Sequence, residues 1–377
     1  MRIGNIRAVA QKEIYHLIRD FRSLYLAFAI PLLLIFMFGY ALSLDVDNVK
    51  TVVLDHDRTD LSRDFITRLN ASTYFNVIKR LEDTRDVTKY MDHGRAALAV
   101  IIPPGWTKNM RSDREAPMQV ILDGSDPNFA GITRGYITAF IEKYNQEALL
   151  SFLNRQGVGK MTPPVEGRIR IWFNEDLESR NFIIPGIIAI IIMLAGAMLT
   201  SLVIAREYEN GTMETIKSLP IGAAEFIIGK AIPYFFIGLI NVLIAVLMGQ
   251  FLFGVVMKSS FWLMLVASSL YLFVALSLGL LISVITKSQL IANMAAILLT
   301  FLPSMLLSNF VFPVINMPKV LQVITYVVPA TYYIEILSGI YLKNLGFAHL
   351  WPNFLILTVM FMVMSAMNFR LLKKEGL

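Results

Sequence analysis

The chain has 377 residues, 56% of them hydrophobic and 16% charged, with a formal net charge of +6. A soluble domain carries about 25% charged residues, so this balance excludes one as the whole chain and points to a membrane protein. Cysteine is absent, which excludes disulfides, thiol catalysis and cysteine metal sites while fixing no redox compartment.

Where the charge lies decides what it means. Residues 45–180 carry 19 Lys and Arg against 20 Asp and Glu. The excess therefore sits in the amino-terminal tail (Arg2, Arg7, Lys12, Arg19, Arg22), in the loop after residue 205, at Lys287, and at Arg370, Lys373 and Lys374. Basic residues mark the cytoplasmic ends of membrane spans, so the surplus reads as topology and no nucleic-acid partner is expected.

Taken in order, residues 1–22 read as an interfacial amphipathic helix. Ile3, Ile6, Ala10, Ile14, Leu17 and Phe21 recur at spacings of three and four, with Asn5, Lys12 and Arg19 on the other side. A bilayer core needs about 20 apolar residues as helix. Uncharged runs of that length lie at Ser23–Leu44, Asn181–Ala205, Ala231–Met257, Ser259–Thr286, Ser288–Pro318 and Asn344–Phe369. The fold class is thus a polytopic α-helical membrane protein with six transmembrane helices and both termini in the cytoplasm. The first span, residues 23–44, contains Pro31, which removes one backbone hydrogen bond. It is too long for a signal-peptide core and no small-residue cleavage pattern follows, so it is expected to stay attached as an anchor.

Residues 45–180 are predicted to form a mixed α/β extracytoplasmic domain inserted between helices 1 and 2. Strand-like runs occur at Thr51–Leu54, Asn76–Ile78, Ala96–Ile102, Met118–Leu122 and Ile169–Phe173. Helical patterns fall at Leu61–Leu69, at Val87–Asp92, and through Ile132, Tyr136, Phe140, Tyr144 and Ala148. Gly157–Pro164 reads as a loop leading back to the membrane.

Residues 181–377 supply spans two to six. Between spans two and three lies a charged island, residues 206–225, predicted as a cytoplasmic loop. Gly211 should end the preceding helix, Thr212 should cap a short one, and Pro220 should stop it, with Met213, Ile216 and Leu219 on one face. Short turns follow around Lys258 outside and Lys287 inside. Val320–Ile334, about 15 apolar residues, is too short to cross. Residues 314–345 are therefore expected to form a pair of short re-entrant helices on the outer side.

No constellation for bond chemistry emerges. Gly157-Val158-Gly159-Lys160-Met161 lacks the glycine five residues before Gly159 and the hydroxyl after the lysine that a phosphate loop needs. Asp123-Gly124-Ser125-Asp126-Pro127-Asn128 lacks the spacing and closing glutamate of a calcium loop, and reads better as a turn followed by a helix cap. His16, His56, His93 and His349 are scattered, and no Gly-x-Ser-x-Gly elbow occurs. Glu335 lies in apolar surroundings, where a carboxylate usually faces water or a partner.

Four stretches carry a resemblance. Arg206-Glu207-Tyr208-Glu209-Asn210-Gly211-Thr212-Met213-Glu214 with Pro220 resembles the cytoplasmic coupling segment of type-2 ATP-binding cassette (ABC) export permeases. Lys12-Glu13 with Arg19-Asp20 is similar to that family's amino-terminal interfacial helix, and Pro329 to Glu335 to its segment before the last span. The Asp123 to Asn128 stretch is similar to the branch with a large extracytoplasmic domain. The resemblance implies a permease in the inner membrane that works as a dimer with a second copy or a paralogue. ATP would be bound by a separate ABC ATPase subunit, so no cofactor is expected in this chain, and a periplasmic adaptor is a further implied partner. It assigns ATPase coupling to Glu207, Gly211, Thr212, Glu214 and Pro220.

The expected function is export of an amphipathic small molecule, drug or lipid-like substrate, with Phe310, Phe312, Tyr332, Tyr333 and Glu335 as candidate pathway residues. The alternative is a membrane-anchored sensor or assembly scaffold whose external domain binds a ligand. Retention and stimulation of an ATPase separate the two.

Overall fold

The computed structural model describes residues 2–19, 21–41, 48–112, 114–155, 173 and 178–377. The chain divides into two compact units, Met1–Ser43 with Ile171–Leu377, and Leu44–Arg170.

The first unit opens with α1 (Ile3–Arg19) and α2 (Phe21–Ala41). The second unit then runs β1 (Val49–Asp55), α3 (Asp60–Asn70), β2 (Phe75–Leu81), α4 (Thr84–Asp92), β3 (Leu98–Ile102), α5 (Trp106–Arg111), β4 (Gln119–Leu122) and α6 (Pro127–Arg155). The chain returns to the first unit through α7 (Arg180–Glu209), α8 (Thr212–Ser218), α9 (Ala223–Phe253), α10 (Phe261–Thr286), α11 (Gln289–Leu306), α12 (Lys319–Thr325), α13 (Pro329–Tyr341) and α14 (Phe347–Lys374).

The second unit is a four-stranded sheet of order β2-β1-β3-β4, parallel except for β4. Because β2 and β3 flank β1 on opposite sides, right-handed crossovers place α3 and α4 on opposite faces. Strand alternation follows: Val49 and Val53 join Phe65, Leu69, Ile137 and Tyr144, while Val52 and Leu54 pack with Val87 on the other face. Thr59 and Ser62 cap α3 reciprocally. After β4, Asp123 turns the chain by accepting from Ser125 N, and Asp126 accepts from Phe129 N at the start of α6. The short α5 was not legible as a helix, and the predicted loop 157–164 and most of the run Ile169–Phe173 lie outside the described residues.

In the first unit, among the described residues, five helices are long and apolar enough to cross a membrane: α7, α9, α10, α11 and α14. α12 and α13 pass that test only together and are bent by 74° at their break. Of the first expected span, the described part lies in α2, which contributes the apolar helix Phe28–Tyr40, and residues 42–47 lie outside the described residues. α7 is apolar on all sides and therefore central. Helices α9, α11 and α14 bury one side and leave Leu247, Leu298, Leu299, Val359 and Met362 outward, as lipid-facing helices do.

Small residues and hydroxyls hold α7 to α10. A side chain at Gly279 would meet Thr200 Oγ1 and the Ala197 carbonyl, so only glycine permits this approach. Thr200 Oγ1 donates to Leu276 O at 3.0 Å, and Ser283 Oγ accepts from Ile204 N and Ala205 N at 3.0 and 2.8 Å. With apolar helices already in an apolar solvent, close backbone approach and such hydrogen bonds drive association.

The helices alternate between two ends. One end gathers α1, the α7–α9 loop, the α10–α11 turn and the carboxyl terminus. At the other, Ser259 N donates to Ile340 O and Ser259 Oγ to Leu345 O, and Phe251, Trp262, Tyr326 and Trp351 are exposed. Exposed aromatics of this kind form a belt at a membrane boundary.

Candidate functional site

The polar end of the first unit is built around Lys230, in the second turn of α9. Its side chain is 2% exposed, and its Nζ lies 2.6 Å from Glu13 Oε2 on α1 and 2.6 Å from Glu207 Oε1 on α7. Lys12 Nζ lies 2.9 Å from Glu207 Oε1, Tyr234 OH donates to Glu13 Oε1 at 2.7 Å, and Thr212 Oγ1 donates to Glu207 Oε2. Two cations and two carboxylates from three helices thus balance within one cluster. Glu207 occupies the last turn of α7, where the helix dipole disfavours a carboxylate, so its partners hold it there.

The same elements are pinned at a second level. Glu225, in the first turn of α9, accepts from Asn5 Nδ2 at 2.7 Å and from Arg2 N at 2.5 Å. Asn5 Nδ2 also donates to Pro220 O at 3.1 Å. Between the two levels Gly229 faces Val9 so closely that an added Cβ would sit 2.7 Å from the Val9 Cβ and 3.0 Å from Ile6 O. Helix α1 therefore lies on α9 by shape as well as by charge.

This changes the reading of α1. The face it buries carries Val9, Ala10, Glu13 and Leu17, whereas Ile3 and Ile14 of the predicted apolar face are exposed. A partner able to satisfy Glu13 outweighs the simple apolar stripe.

Around α8 the structure keeps part of the expectation. Gly211, at φ +70°, turns the chain after α7, and the helix stops before Pro220. Met213 and Ile216 are buried. Thr212 does not cap α8; Gly211 holds that position, and the Thr212 hydroxyl turns back to Glu207. Leu219 is exposed, because its extended backbone (φ −84°, ψ 150°) carries it off the helical face. Glu214, Thr215 and Ser218 face outward. Of the five coupling residues, Glu207 and Thr212 meet directly, Gly211 shapes the turn between them, Pro220 joins through its carbonyl, and Glu214 stands free on the surface.

A second clasp lies beside the first. Glu375, just past α14, accepts from Tyr208 OH at 2.6 Å and pairs with Lys287 at 2.6 Å and Lys217 at 3.9 Å. Lys287 lies over the Tyr208 ring, 4.9 Å from its centroid. Glu209 accepts from Gln289 N at 2.8 Å and Gln289 Nε2 at 2.6 Å, tying α7 to the first residue of α11. Hydrogen bonds from Lys287 and Tyr208 hold the Glu375 carboxyl below its ordinary range.

The candidate pathway residues do not form one cluster. Phe310 is buried against Gly186 and stacks on Phe182 at 5.9 Å. Tyr333 stacks on Tyr271 at 4.1 Å and bonds to Ser268, which is a packing role. Tyr332 is buried with its hydroxyl on Tyr326 O, while Phe312 and Glu335 are exposed. A separate cavity of about 130 Å³ lies between α2, α7 and α11, lined by Pro31, Leu34, Ile191, Met198, Leu202 and Asn293 among others.

Sequence reasoning missed Lys230, Tyr234 and Glu225. Lys230 lies five residues past the charged island, directly before an uncharged run of span length, and that position was the available signal.

Comparison with known proteins places these features. Residues 21–370 match the family described as ABC-2 family transporter protein. The chain is 36% identical over 367 residues to the probable multidrug ABC transporter permease YbhS of Escherichia coli (strain K12), covering 97% of this chain and 94% of that one. It is 28% identical over 344 residues to the probable multidrug ABC transporter permease YbhR of the same organism, covering 91% of each. The inner membrane transport permease YhhJ, also of Escherichia coli (strain K12), is 29% identical over 289 residues, 74% of each chain.

Two outcomes follow. Lys230→Met leaves Glu13 and Glu207 buried without their shared cation, a loss of about 3–5 kcal/mol for a broken buried pair. Trypsin should then cut at Arg7 and Lys12 faster than in the wild type, and Lys230→Met with Glu13→Gln and Glu207→Gln should restore much of the protection. For the second clasp, a depressed carboxylate stabilises above its unfolded pKa, about 4.3, and loses that contribution as pH falls through its lower folded value. A spin label at Leu377→Cys should therefore be immobile at neutral pH, gain mobility only as the pH falls below the ordinary carboxylate range, and be mobile throughout in Glu375→Gln.

Proposed function

Because the chain belongs to the ABC-2 family of transporter proteins and is a multi-pass membrane permease, we propose that it is the export permease of an ATP-driven transporter whose motor grips the Lys230 end. A permease of this kind works with an ATPase partner. The observation that carries the reading is the buried Lys230 cluster: it fastens α1, the end of α7 and the start of α9 into one base, from which α8 presents Glu214, Thr215 and Ser218 outward. A push on α8 would then reach the spans without being absorbed by a loose loop.

The distribution of charge supports the orientation. Arg2, Arg7, Lys12, Arg19, Arg206, Lys217, Lys287, Lys373 and Lys374 belong to the Lys230 end, whereas Arg180, Lys258, Lys319 and Lys343 belong to the other. The rule that orients spans supports a cytoplasmic basic end, with both termini inside and the 45–180 domain outside, and the likeness to the inner membrane transport permease YhhJ supports the inner membrane. Glu209 and Lys287 carry the motion onward to α11, and closure of the ATPase pair tilts α7 and α11 of two permease copies or paralogues so that their interface opens outward.

The cargo we propose is an amphipathic small molecule or drug, in keeping with the multidrug description of YbhS and YbhR. The apolar cavity with its single amide, Asn293, suits such a substrate on entry. Phe312 and Glu335, both exposed, suit its exit, beside Phe310, Tyr332 and Tyr333 as packed supports. A periplasmic adaptor acting on the outer domain completes the proposed assembly.

The test is reconstitution with the cognate ATPase. The wild-type permease should retain the ATPase subunit and stimulate its hydrolysis. Glu214→Lys, which reverses a surface charge without touching the core, should express normally yet lose at least about tenfold in substrate-stimulated hydrolysis, as a repelled charge at an interface implies. Normal stimulation and efflux by that variant would contradict the docking role of α8.

A further inference from the structure

The second unit holds a feature that transport coupling does not use. Between α6 and the connection from α3 to β2 lies a cavity of about 680 Å³. Small-molecule sites commonly measure about 300–1,000 Å³ and combine an aromatic lining with a few polar groups. Here the aromatic part is Tyr74, Tyr136, Phe140 and Tyr144. Tyr74 and Tyr136 stack at 4.1 Å with 27° between their planes, yet Tyr74 remains 40% exposed. A ring immobilised in a stack and still open to solvent can receive a second ring at little entropic cost.

The charges beside it are unequal in their freedom. Arg68 is fixed by Asp64 at 2.8 Å and Glu147 at 2.7 Å, and it lies over Tyr144 at 5.7 Å. Lys143 lines the same cavity and has no acidic partner among the described residues. Positions 136, 140, 143 and 147 share one face of α6, so the backbone at Lys143 lies about 10 Å along the helix from that at Tyr136, seven residues at 1.5 Å each, within reach of one ligand. With Arg68, Lys143 and Glu147 the lining carries one net positive charge.

We propose that this cavity binds an aromatic anion, its ring stacked on the Tyr74–Tyr136 pair and its acidic group on Lys143. The complementarity excludes two other classes. A cationic aromatic would face the unpaired ammonium, and a purely aliphatic molecule would leave the open face of Tyr74 unused. The site goes beyond the transport reading and needs no ATPase to be tested.

The experiment is calorimetric titration of the full-length permease in nanodiscs with 2-naphthoate, with 2-naphthylmethanol as the neutral analogue and empty nanodiscs as background. Saturable binding of one 2-naphthoate per chain is expected, with the neutral analogue about tenfold weaker, the worth of one charge-assisted contact. Lys143→Gln and Tyr74→Ala should each weaken 2-naphthoate by a similar factor, while Lys143→Arg and Tyr74→Phe, which keep charge and stack, should retain it. No saturable binding, equal binding of the neutral analogue, or indifference to Lys143→Gln would overturn the proposal. Since no ATPase takes part, such a failure leaves the exporter reading standing, and a failed reconstitution leaves this site untouched.

Discussion

One ammonium shared by two carboxylates governs the polar end of this protein. Lys230 is almost fully removed from solvent and is drawn to Glu13 and Glu207 at the same 2.6 Å. Removing Lys230 leaves Glu13 as a buried carboxylate with no cation beside it, which costs far more than an exposed ion pair contributes. The cluster is therefore either assembled or absent, and α1, α7 and α9 meet in one arrangement. Lys12, Thr212 and Tyr234 fill the remaining hydrogen-bonding positions, so the charges are satisfied as well as paired.

From that base the rest of the helical unit is organised by close approach. Glycine at 229 lets α1 lie against α9, and glycine at 279 lets α10 lie against α7. The second clasp, centred on Glu375 and Tyr208, gathers the carboxyl terminus and the α10–α11 turn to the same end. Lys287 adopts φ +54°, a conformation unfavourable for a residue with a side chain, and its ion pair and its contact with the Tyr208 ring offset that. Two polar joints, one on α9 and one on α14, thus connect α8 to the spans that the proposed mechanism moves.

Much of this was legible in the sequence. The uncharged runs located five of the crossing helices, because span length follows from bilayer thickness alone. The turn at Gly211 and the stop before Pro220 followed from local backbone chemistry, whereas the 74° break between α12 and α13 was not located, because Val320–Ile334 reads as one apolar run. What was hidden depends on neighbours distant in the chain. Lys230 read as the boundary of a span, since its partners lie 217 and 23 residues away. Thr212 resembled a helix cap, but a buried glutamate offered its hydroxyl a better acceptor than its own helix. That Tyr333 and Phe310 are buried against packed rings was not legible, because aromatic type does not reveal which ring faces a packed neighbour. The amphipathic stripe on α1 held at Ala10 and Leu17 and failed at Ile3 and Ile14 for a related reason: periodicity gives no credit to a glutamate with a buried cation.

The central claim is that the Lys230 cluster makes α1 and α8 a single mechanical body. The absence of cysteine allows it to be measured without background mutations. Spin labels at Arg7→Cys and Thr215→Cys, both at exposed positions, should give one narrow distance distribution by pulsed electron resonance. That distribution should not change when the ATPase and nucleotide are added, and it should broaden in Lys230→Met. A distance that shifts with nucleotide in the otherwise wild-type protein, or one that stays narrow without Lys230, would contradict the account.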